Sequence, residues 1–152
     1  EMLLLTPGTS QVYYGDESAR ELMVEGATGD ANLRSLMNWS RINEDITTKL
    51  ILAHWQKIGQ FRANHPAVGA GKQQVIPAEY GLIFLRVLNE DKVVIGLELP
   101  TGKKVITVAP FFKNNETLRD AYTQQVLLVK DGKVTLNSPV NIVLLEKAVL
   151  SH

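Results

Sequence analysis

The sequence has no cysteine among its 152 residues, which excludes a disulfide framework and any metal site built on thiolates. It also has no excess of one charge, because 16 Lys and Arg balance 16 Asp and Glu. The long-range field typical of proteins that bind nucleic acid or anionic membranes is therefore missing. No apolar run approaches the roughly 20 residues needed to span a bilayer. These absences predict an uncharged partner, with neither nucleic acid nor membrane bound.

Histidine is scarce as well, with three residues that belong to different predicted elements: His54, His65 and His152. Scattered histidines assemble neither a metal triad nor a nucleophile and base pair. We therefore expect no metal site. His54 is interpreted as a packing residue, and His65 as a residue at a helix end.

The first half of the chain contains one strong helix. A helix is predicted from a capping Asp45 to Asn64, because four apolar residues recur there at three- and four-residue steps. These residues are Ile51, Trp55, Ile58 and Phe61. Ahead of the helix, Gln11 to Tyr14 reads as a short strand, and Ser18 to Asn32 as a polar loop whose length favours a functional role.

After Pro66 the pattern changes to short strands. Seven are predicted: 74–76, 82–88, 92–99, 104–108, 126–130, 133–136 and 140–146. Asp131-Gly132 is a hairpin signal, because a type I′ turn needs positive φ at both central residues. The connections leave no room for crossover helices, so the strands predict an antiparallel sandwich or barrel.

The first apolar run of the chain has no helix start signal. The apolar run Met2 to Leu5 meets Pro7-Gly8 without a capping residue ahead of it, whereas an ordinary helix has a start signal. We therefore expect the chain to be a piece of a longer protein.

Three stretches together resemble one enzyme family: "LLLTPGTSQVYYGDE", "LRSLMNW" and "LILAHWQKIGQFRANHPAV". They are similar to the last strand and last helix of the catalytic barrel of alpha-amylase family glycoside hydrolases. The strand-rich remainder resembles the C-terminal domain of that family. The implied fold is an α+β fragment, with the tail of a (β/α) TIM barrel in residues 1–66 followed by an all-β antiparallel Greek-key sandwich in residues 73–152.

The resemblance also implies a function for the parent protein. Such a parent hydrolyses α-1,4-linked glucans, that is, starch and maltooligosaccharides, by a retaining mechanism. The family's catalytic acids lie on earlier barrel strands, so this chain would contain no catalytic residue and would be inactive alone. The resemblance implies no cofactor in this chain, possible calcium in the parent, and an extracellular or periplasmic location.

Four residues are predicted to bind substrate at the rim of the barrel: Tyr14, Asp16, Glu17 and Arg34. For each of these residues a structural role is the alternative to substrate binding. Retaining glycosidases need two carboxyl groups about 5–5.5 Å apart across the scissile bond, and neighbours at a strand end point in opposite directions. Structural or rim hydrogen-bonding roles are therefore favoured for Asp16 and Glu17. For Arg34 the structural alternative is an ion pair that holds the loop. At least one of Tyr13 and Tyr14 is expected to pack in the core.

Two other functions remain open. The sandwich could be a non-catalytic module that binds polysaccharide through Tyr80, Phe111, Phe112 and Tyr122, or one that only braces the barrel. The parent could also be a transglycosylase or isomerase of the same family. Finally, an orphan barrel strand exposes unpaired backbone groups, so Gln11 to Tyr14 is expected to lose its barrel pairing or to cause self-association.

Overall fold

The computed structural model describes residues 1–148. Its α-helices are α1 (Met2–Leu5), α2 (Trp39–Glu44), α3 (Ile46–Asn64) and α4 (Pro66–Ala70), and two 3₁₀ helices span Asp16–Ser18 and Gly29–Arg34. The strands are β1 (Lys72–Ile76), β2 (Leu82–Leu88), β3 (Asp91–Leu97), β4 (Gly102–Thr107), β5 (Thr117–Asp120), β6 (Val126–Leu128), β7 (Lys133–Ser138) and β8 (Val143–Lys147). Within residues 1–148, no helix has both the length and the apolar character needed to cross a bilayer.

The chain divides into two compact units. One is the segment Ser10–Lys57, here called the loop unit; the other, the strand unit, contains Glu1–Thr9 and the residues from Ile58 onward. The boundary falls within α3. Every strand belongs to the strand unit, so the two units can be described separately.

The strands form two antiparallel sheets. Six strands lie in the order β1-β2-β3-β8-β5-β6, and β4 pairs with β7 in a sheet of two. Both sheets contribute to one buried apolar cluster, which confirms an α+β chain with antiparallel sheets. The cluster includes Ile83, Leu85, Val94, Leu118, Val143 and Leu145 from the larger sheet and Ile106, Val134 and Leu136 from the smaller one.

Each of the seven predicted strands overlaps an observed strand, but β5 was not predicted. Leu118 is its fully buried apolar residue, so the segment has too little alternation to be recognised. A buried carboxylate fixes the chain there instead: Asp120 accepts hydrogen bonds from the amides of Leu144 at 2.8 Å and Thr123 at 3.2 Å. This interaction joins residues far apart in sequence and is invisible to a local pattern.

The predicted Asp131-Gly132 turn is confirmed. The two residues have φ of 49° and 70°, which is the positive pair that a type I′ turn requires. The flanking Lys130 and Lys133 exchange two backbone hydrogen bonds of 2.9 Å. The turn therefore connects β6 to β7 as the sequence predicts.

The predicted helix is confirmed from its cap onward. The Asp45 carboxylate accepts hydrogen bonds from the Thr48 amide at 2.7 Å and the Thr48 hydroxyl at 2.8 Å. The bond from the Thr48 amide is the main reason that the pKa of Asp45 lies below its usual value. The apolar stripe is buried only towards the C-terminus, at Ile58 and Phe61. The expectation that Trp55 is a core residue is wrong, because its side chain is only half-buried.

The predicted strand Gln11 to Tyr14 is wrong. These residues adopt no regular secondary structure, although Val and Tyr favour strands. Within residues 1–148, no neighbouring strand supplies a ladder for this segment, and local propensity alone does not fix a strand. Loss of a barrel pairing and self-association through this segment stay predictions.

Helix α4 covers one face of the larger sheet. Its residues Ala67 and Val68 are fully buried, and the Ala67 carbonyl accepts a hydrogen bond of 3.1 Å from Arg86 of β2. The Ala67 amide donates to Asp91 of β3 at 2.8 Å. These contacts hold the end of α3, and with it His65, against the sheet.

Candidate functional site

The loop unit is organised around a buried arginine, Arg20, which is 7 % exposed. Its guanidinium donates to the carbonyls of Tyr14 at 3.0 Å, Leu33 at 3.1 Å and Ser35 at 3.0 Å. A planar group with five donors can bind several carbonyls at once. Arg20 therefore ties the two ends of the polar loop together.

Gly15 makes room for that arginine. Its φ is +89°, and a Cβ at this position would lie 2.5 to 2.7 Å from side-chain atoms of Arg20. Only glycine accepts both the left-handed backbone and the close approach at little cost. Gly15 therefore permits the sharp turn that leads into the 3₁₀ helix Asp16–Ser18.

A second contact closes the same loop. Ser18 is fully buried, and its hydroxyl donates to the Asn38 side-chain carbonyl at 2.8 Å. The Asn38 side-chain amide donates in return to the Ser18 backbone carbonyl at 2.8 Å. Because buried polar groups are costly unless they are paired, this reciprocal pair fixes the start of α2 against the 3₁₀ helix.

The two adjacent carboxylates of the loop bind backbone amides close to them in sequence. Asp16 accepts from the Tyr13 amide at 3.2 Å, and Glu17 accepts from the Gly15 amide at 3.0 Å. Both bonds stabilise the tight turn that begins the 3₁₀ helix. These contacts are those expected of the structural alternative; binding of substrate by Asp16 and Glu17 stays a prediction.

The two tyrosines lie on the same side, contrary to expectation. Alternating directions were expected for Tyr13 and Tyr14, but their ring centroids are 4.7 Å apart, because the segment is not extended as a strand. The Arg20 guanidinium lies 4.0 Å from the Tyr14 ring centroid, in a cation–π contact. The Tyr14 hydroxyl donates to the Ser35 carbonyl at 3.0 Å, so Tyr14 also stabilises the loop.

Sequence reasoning chose the wrong arginine for holding the loop. Arg34 is exposed at the end of a 3₁₀ helix, and its side chain makes no hydrogen bond or ion pair within residues 1–148. Arg20, and not Arg34, holds the loop together through its hydrogen bonds to backbone carbonyls. No local signal distinguishes the two, since each is an arginine in a polar segment. Binding of substrate by Arg34 stays a prediction.

A shallow pocket of about 400 Å³ also lies in the loop unit. Part of its lining is the apolar set Met23, Val24 and Leu36, with Arg20 beside them. None of the four predicted substrate-binding residues lines it. The loop unit thus presents an apolar surface next to the arginine, at a place that sequence reasoning did not identify.

The strand unit contains a second polar cluster, here called the histidine cluster, formed by His65, Asp91, Glu146 and Arg119. The Nδ1 atom of His65 is 2.7 Å from Asp91 Oδ1, and its Nε2 atom is 2.6 Å from Glu146 Oε2. Arg119 Nε donates to Glu146 Oε1 at 2.6 Å. The His65 ring therefore bridges the two carboxylates, with one ring nitrogen within hydrogen-bond distance of each.

The histidine cluster is a polar network that joins His65, just after α3, to β3, β5 and β8. Within residues 1–148 no group of three His, Asp or Glu side chains is arranged to hold a metal ion, and the absence of a metal site stays a prediction. His65 does lie at a helix end, as expected. His152 lies outside the described residues.

Of the four aromatic residues proposed for a sugar-binding surface on the sandwich, the structure exposes one. Phe112 is buried, Phe111 packs against the core, and Tyr122 is half-buried, so these three do not form such a surface. Tyr80 is 59 % exposed. It borders a pocket of about 480 Å³ between the β1–β2 loop and β4, here called the Tyr80 pocket.

Comparison with known proteins relates the chain to one enzyme class. No family model matches it. A stretch of 95 residues, 62 % of the chain, is 45 % identical to the periplasmic alpha-amylase of Escherichia coli strain K12. The chain is therefore similar to part of this alpha-amylase.

Solved alpha-amylase structures share its fold. An alpha-amylase from Anoxybacillus matches 99 % of the chain with a TM-score of 0.67 and 23 % identity. The protein AmyP, solved in complex with maltose, matches 95 % with a TM-score of 0.69 and 17 % identity. The chain spans 14 % of the length of the Escherichia coli alpha-amylase and 32 % of each of these two structures.

Proposed function

We propose that this chain is the C-terminal portion of an alpha-amylase-like glycoside hydrolase, made of the end of a TIM barrel and a Greek-key β-sandwich. The parent cleaves α-1,4-linked glucans with retention of configuration. The observation that carries the proposal is the 45 % identity to an alpha-amylase over 95 residues. The match of nearly the whole chain to a third of the Anoxybacillus alpha-amylase supports it.

The proposal assigns the chemistry to residues outside this chain. Retaining hydrolysis needs a nucleophile and an acid/base about 5–5.5 Å apart, and Asp16 and Glu17 each bind a backbone amide in their own turn. This chain contains no catalytic residue and is inactive alone. Its loop unit forms part of the rim of the active site in the parent, where Tyr14, Asp16, Glu17 and Arg34 face the substrate.

The experiment compares this chain with the full-length protein that contains it. Starch is the substrate, and release of reducing ends is the measure. The full-length protein is expected to hydrolyse starch, and proton NMR is expected to show the α-anomer first, as retention requires. Hydrolysis by the 152-residue chain alone, or a parent that leaves starch intact, would overturn the proposal.

Two variants of the full-length protein test the assignment of the acids. Asp16→Asn and Glu17→Gln are expected to keep kcat within about tenfold, whereas loss of a catalytic carboxylate costs on the order of 10³ or more. A product analysis separates the related reactions, since a transglycosylase yields longer or cyclic glucans where a hydrolase yields short linear ones.

A further inference from the structure

We propose that Arg20 is a positioning residue for substrate binding in the parent. It fixes the backbone that carries the four predicted rim residues, namely Tyr14, Asp16, Glu17 and Arg34. This role rests on the proposed function, in which those four residues face the glucan. The contacts of Arg20 themselves do not depend on that function, because all of them lie within the loop unit.

The Arg20 guanidinium binds the chain on both sides of Arg34. Its Nη2 atom donates to the Leu33 carbonyl at 3.1 Å, and its Nη1 atom donates to the Ser35 carbonyl at 3.0 Å. The Arg34 side chain is exposed and makes no hydrogen bond or ion pair within residues 1–148. Because no polar contact holds this side chain, the direction in which it leaves the chain is set by the backbone that Arg20 binds.

The same side chain fixes the turn that carries the other three rim residues. Its Nε atom donates to the Tyr14 carbonyl at 3.0 Å, and its Cζ atom lies 4.0 Å from the Tyr14 ring centroid. The Arg20 amide donates to the Gly15 carbonyl at 2.9 Å, at the start of the turn with the two carboxylates. The Tyr14 hydroxyl donates in turn to the Ser35 carbonyl at 3.0 Å. One arginine therefore joins the two segments of the rim, which are distant in sequence.

Arg20 has little capacity left to bind substrate directly. A guanidinium has five N–H donors. Three of them donate to the carbonyls of Tyr14, Leu33 and Ser35, and a fourth donates to the Ser35 hydroxyl. The residue is also only 7 % exposed. An effect of Arg20 on glucan binding must therefore pass through the residues whose backbone it fixes.

The shape of the guanidinium, rather than its charge, performs this role. An α-glucan is uncharged, so a buried positive charge does not steer it towards the site. A planar fork binds two carbonyls in fixed directions, whereas an ammonium is a point donor on a flexible stem. Arg20→Lys keeps the charge but loses the fixed geometry of the bonds to Leu33 and Ser35. This substitution therefore separates position from charge.

Steady-state kinetics of the full-length protein with maltoheptaose tests the role. Loss of an interaction that favours the ground state and the transition state equally raises KM and leaves kcat unchanged. We expect KM to rise about fivefold or more in both Arg20→Lys and Arg20→Gln, with kcat within about threefold of the wild type. A merely structural role gives the opposite result, because partial unfolding lowers the amount of active enzyme, and with it the apparent kcat, but does not change KM.

Arg41→Gln is the matched control. Arg41 is also an arginine of the loop unit, but its side chain is 44 % exposed and pairs with Glu21 at 3.0 Å. An exposed ion pair contributes little, so KM should stay within about twofold of the wild type. In an Arg34→Ala background, Arg20→Lys should raise KM by a smaller factor than in the wild type, because one residue through which Arg20 acts is gone.

The role of Arg20 is overturned by an unchanged KM in both of its variants, or by an equal effect of Arg20→Lys with and without Arg34→Ala. Thermal melting shows whether each variant is folded, and failure of both Arg20 variants to fold would assign the residue to stability instead. A wild-type parent that leaves starch intact refutes the proposed function, and the role of Arg20 with it. A parent that hydrolyses starch while KM is unchanged in the variants refutes the role of Arg20 alone.

Discussion

The histidine cluster allows one prediction to be worked from distances. Replacing His65 by Ala removes the ring that bridges Asp91 and Glu146 at 2.7 and 2.6 Å. The side chains of these two acids are 23 % and 8 % exposed. The substitution therefore leaves one partly buried and one largely buried carboxylate without their shared partner.

The magnitude follows from the bonds lost and the partners that remain. A hydrogen bond to a charged group contributes about 1.5–3 kcal/mol. Arg119 still pairs with Glu146, and the Ala67 amide still donates to Asp91, so the loss is less than the sum of two such bonds. We expect His65→Ala to lower the free energy of unfolding by about 2–4 kcal/mol. For a chain of this length the melting temperature should fall by about 5–12 °C.

The assay is urea unfolding of the 152-residue chain followed by circular dichroism. Gln60→Ala, an exposed change on α3, which ends just before His65, is the control and should stay within about 0.5 kcal/mol of the wild type. A double-mutant cycle of His65→Ala with Asp91→Asn should give a coupling of about 1 kcal/mol or more. If His65→Ala costs less than about 1 kcal/mol, or the cycle shows no coupling, the network does not hold the helix end to the sheet.

Three further predictions concern the loop unit, the helix cap and metal. Gly15→Ala should destabilise the loop unit by about 1–3 kcal/mol more than Gly26→Ala, measured by amide hydrogen exchange. Both glycines have positive φ, but only a Cβ at Gly15 would meet a neighbouring side chain, that of Arg20. Equal effects of the two substitutions would refute this contact. Because the folded-state pKa of Asp45 is lowered, its stabilising effect is present above its unfolded value of about 3.9 and lost as pH falls through the folded pKa. Asp45→Ala should therefore lower the melting temperature at pH 7, and the difference should shrink as pH falls through the lowered folded-state pKa of Asp45. A difference that stays constant through this acid range would contradict the cap. Finally, EDTA should leave the melting temperature of this chain unchanged, and a fall that calcium reverses would reveal a metal site.

Much of the architecture follows from local patterns. The hairpin at Asp131-Gly132, the cap at Asp45 and the strands of the sandwich were predicted because turn chemistry and hydrophobic alternation act over a few residues. The segment Gln11 to Tyr14 shows the limit of such reasoning. Its composition favours a strand, but a strand forms only where another one pairs with it.

The candidate sites were predicted less well for the same reason. Arg20 and Arg34 are equivalent to a local pattern, and only the folded loop places three carbonyls around Arg20. Likewise, the alternation of the strands does not show that Phe112 is buried while Tyr80 is exposed beside a pocket. Side-chain environments depend on residues distant in sequence.

The sequence by itself determined the class of chain: a helix followed by antiparallel strands, and a resemblance to alpha-amylases that the comparison with a curated relative supports. Only the tertiary structure decided which polar groups are paired. Asp120, His65 and Arg20 each bind atoms brought to them from other parts of the chain. A local sequence pattern reports propensity and periodicity, but burial and hydrogen bonding are set by contacts between distant segments, which exist only once the chain has folded.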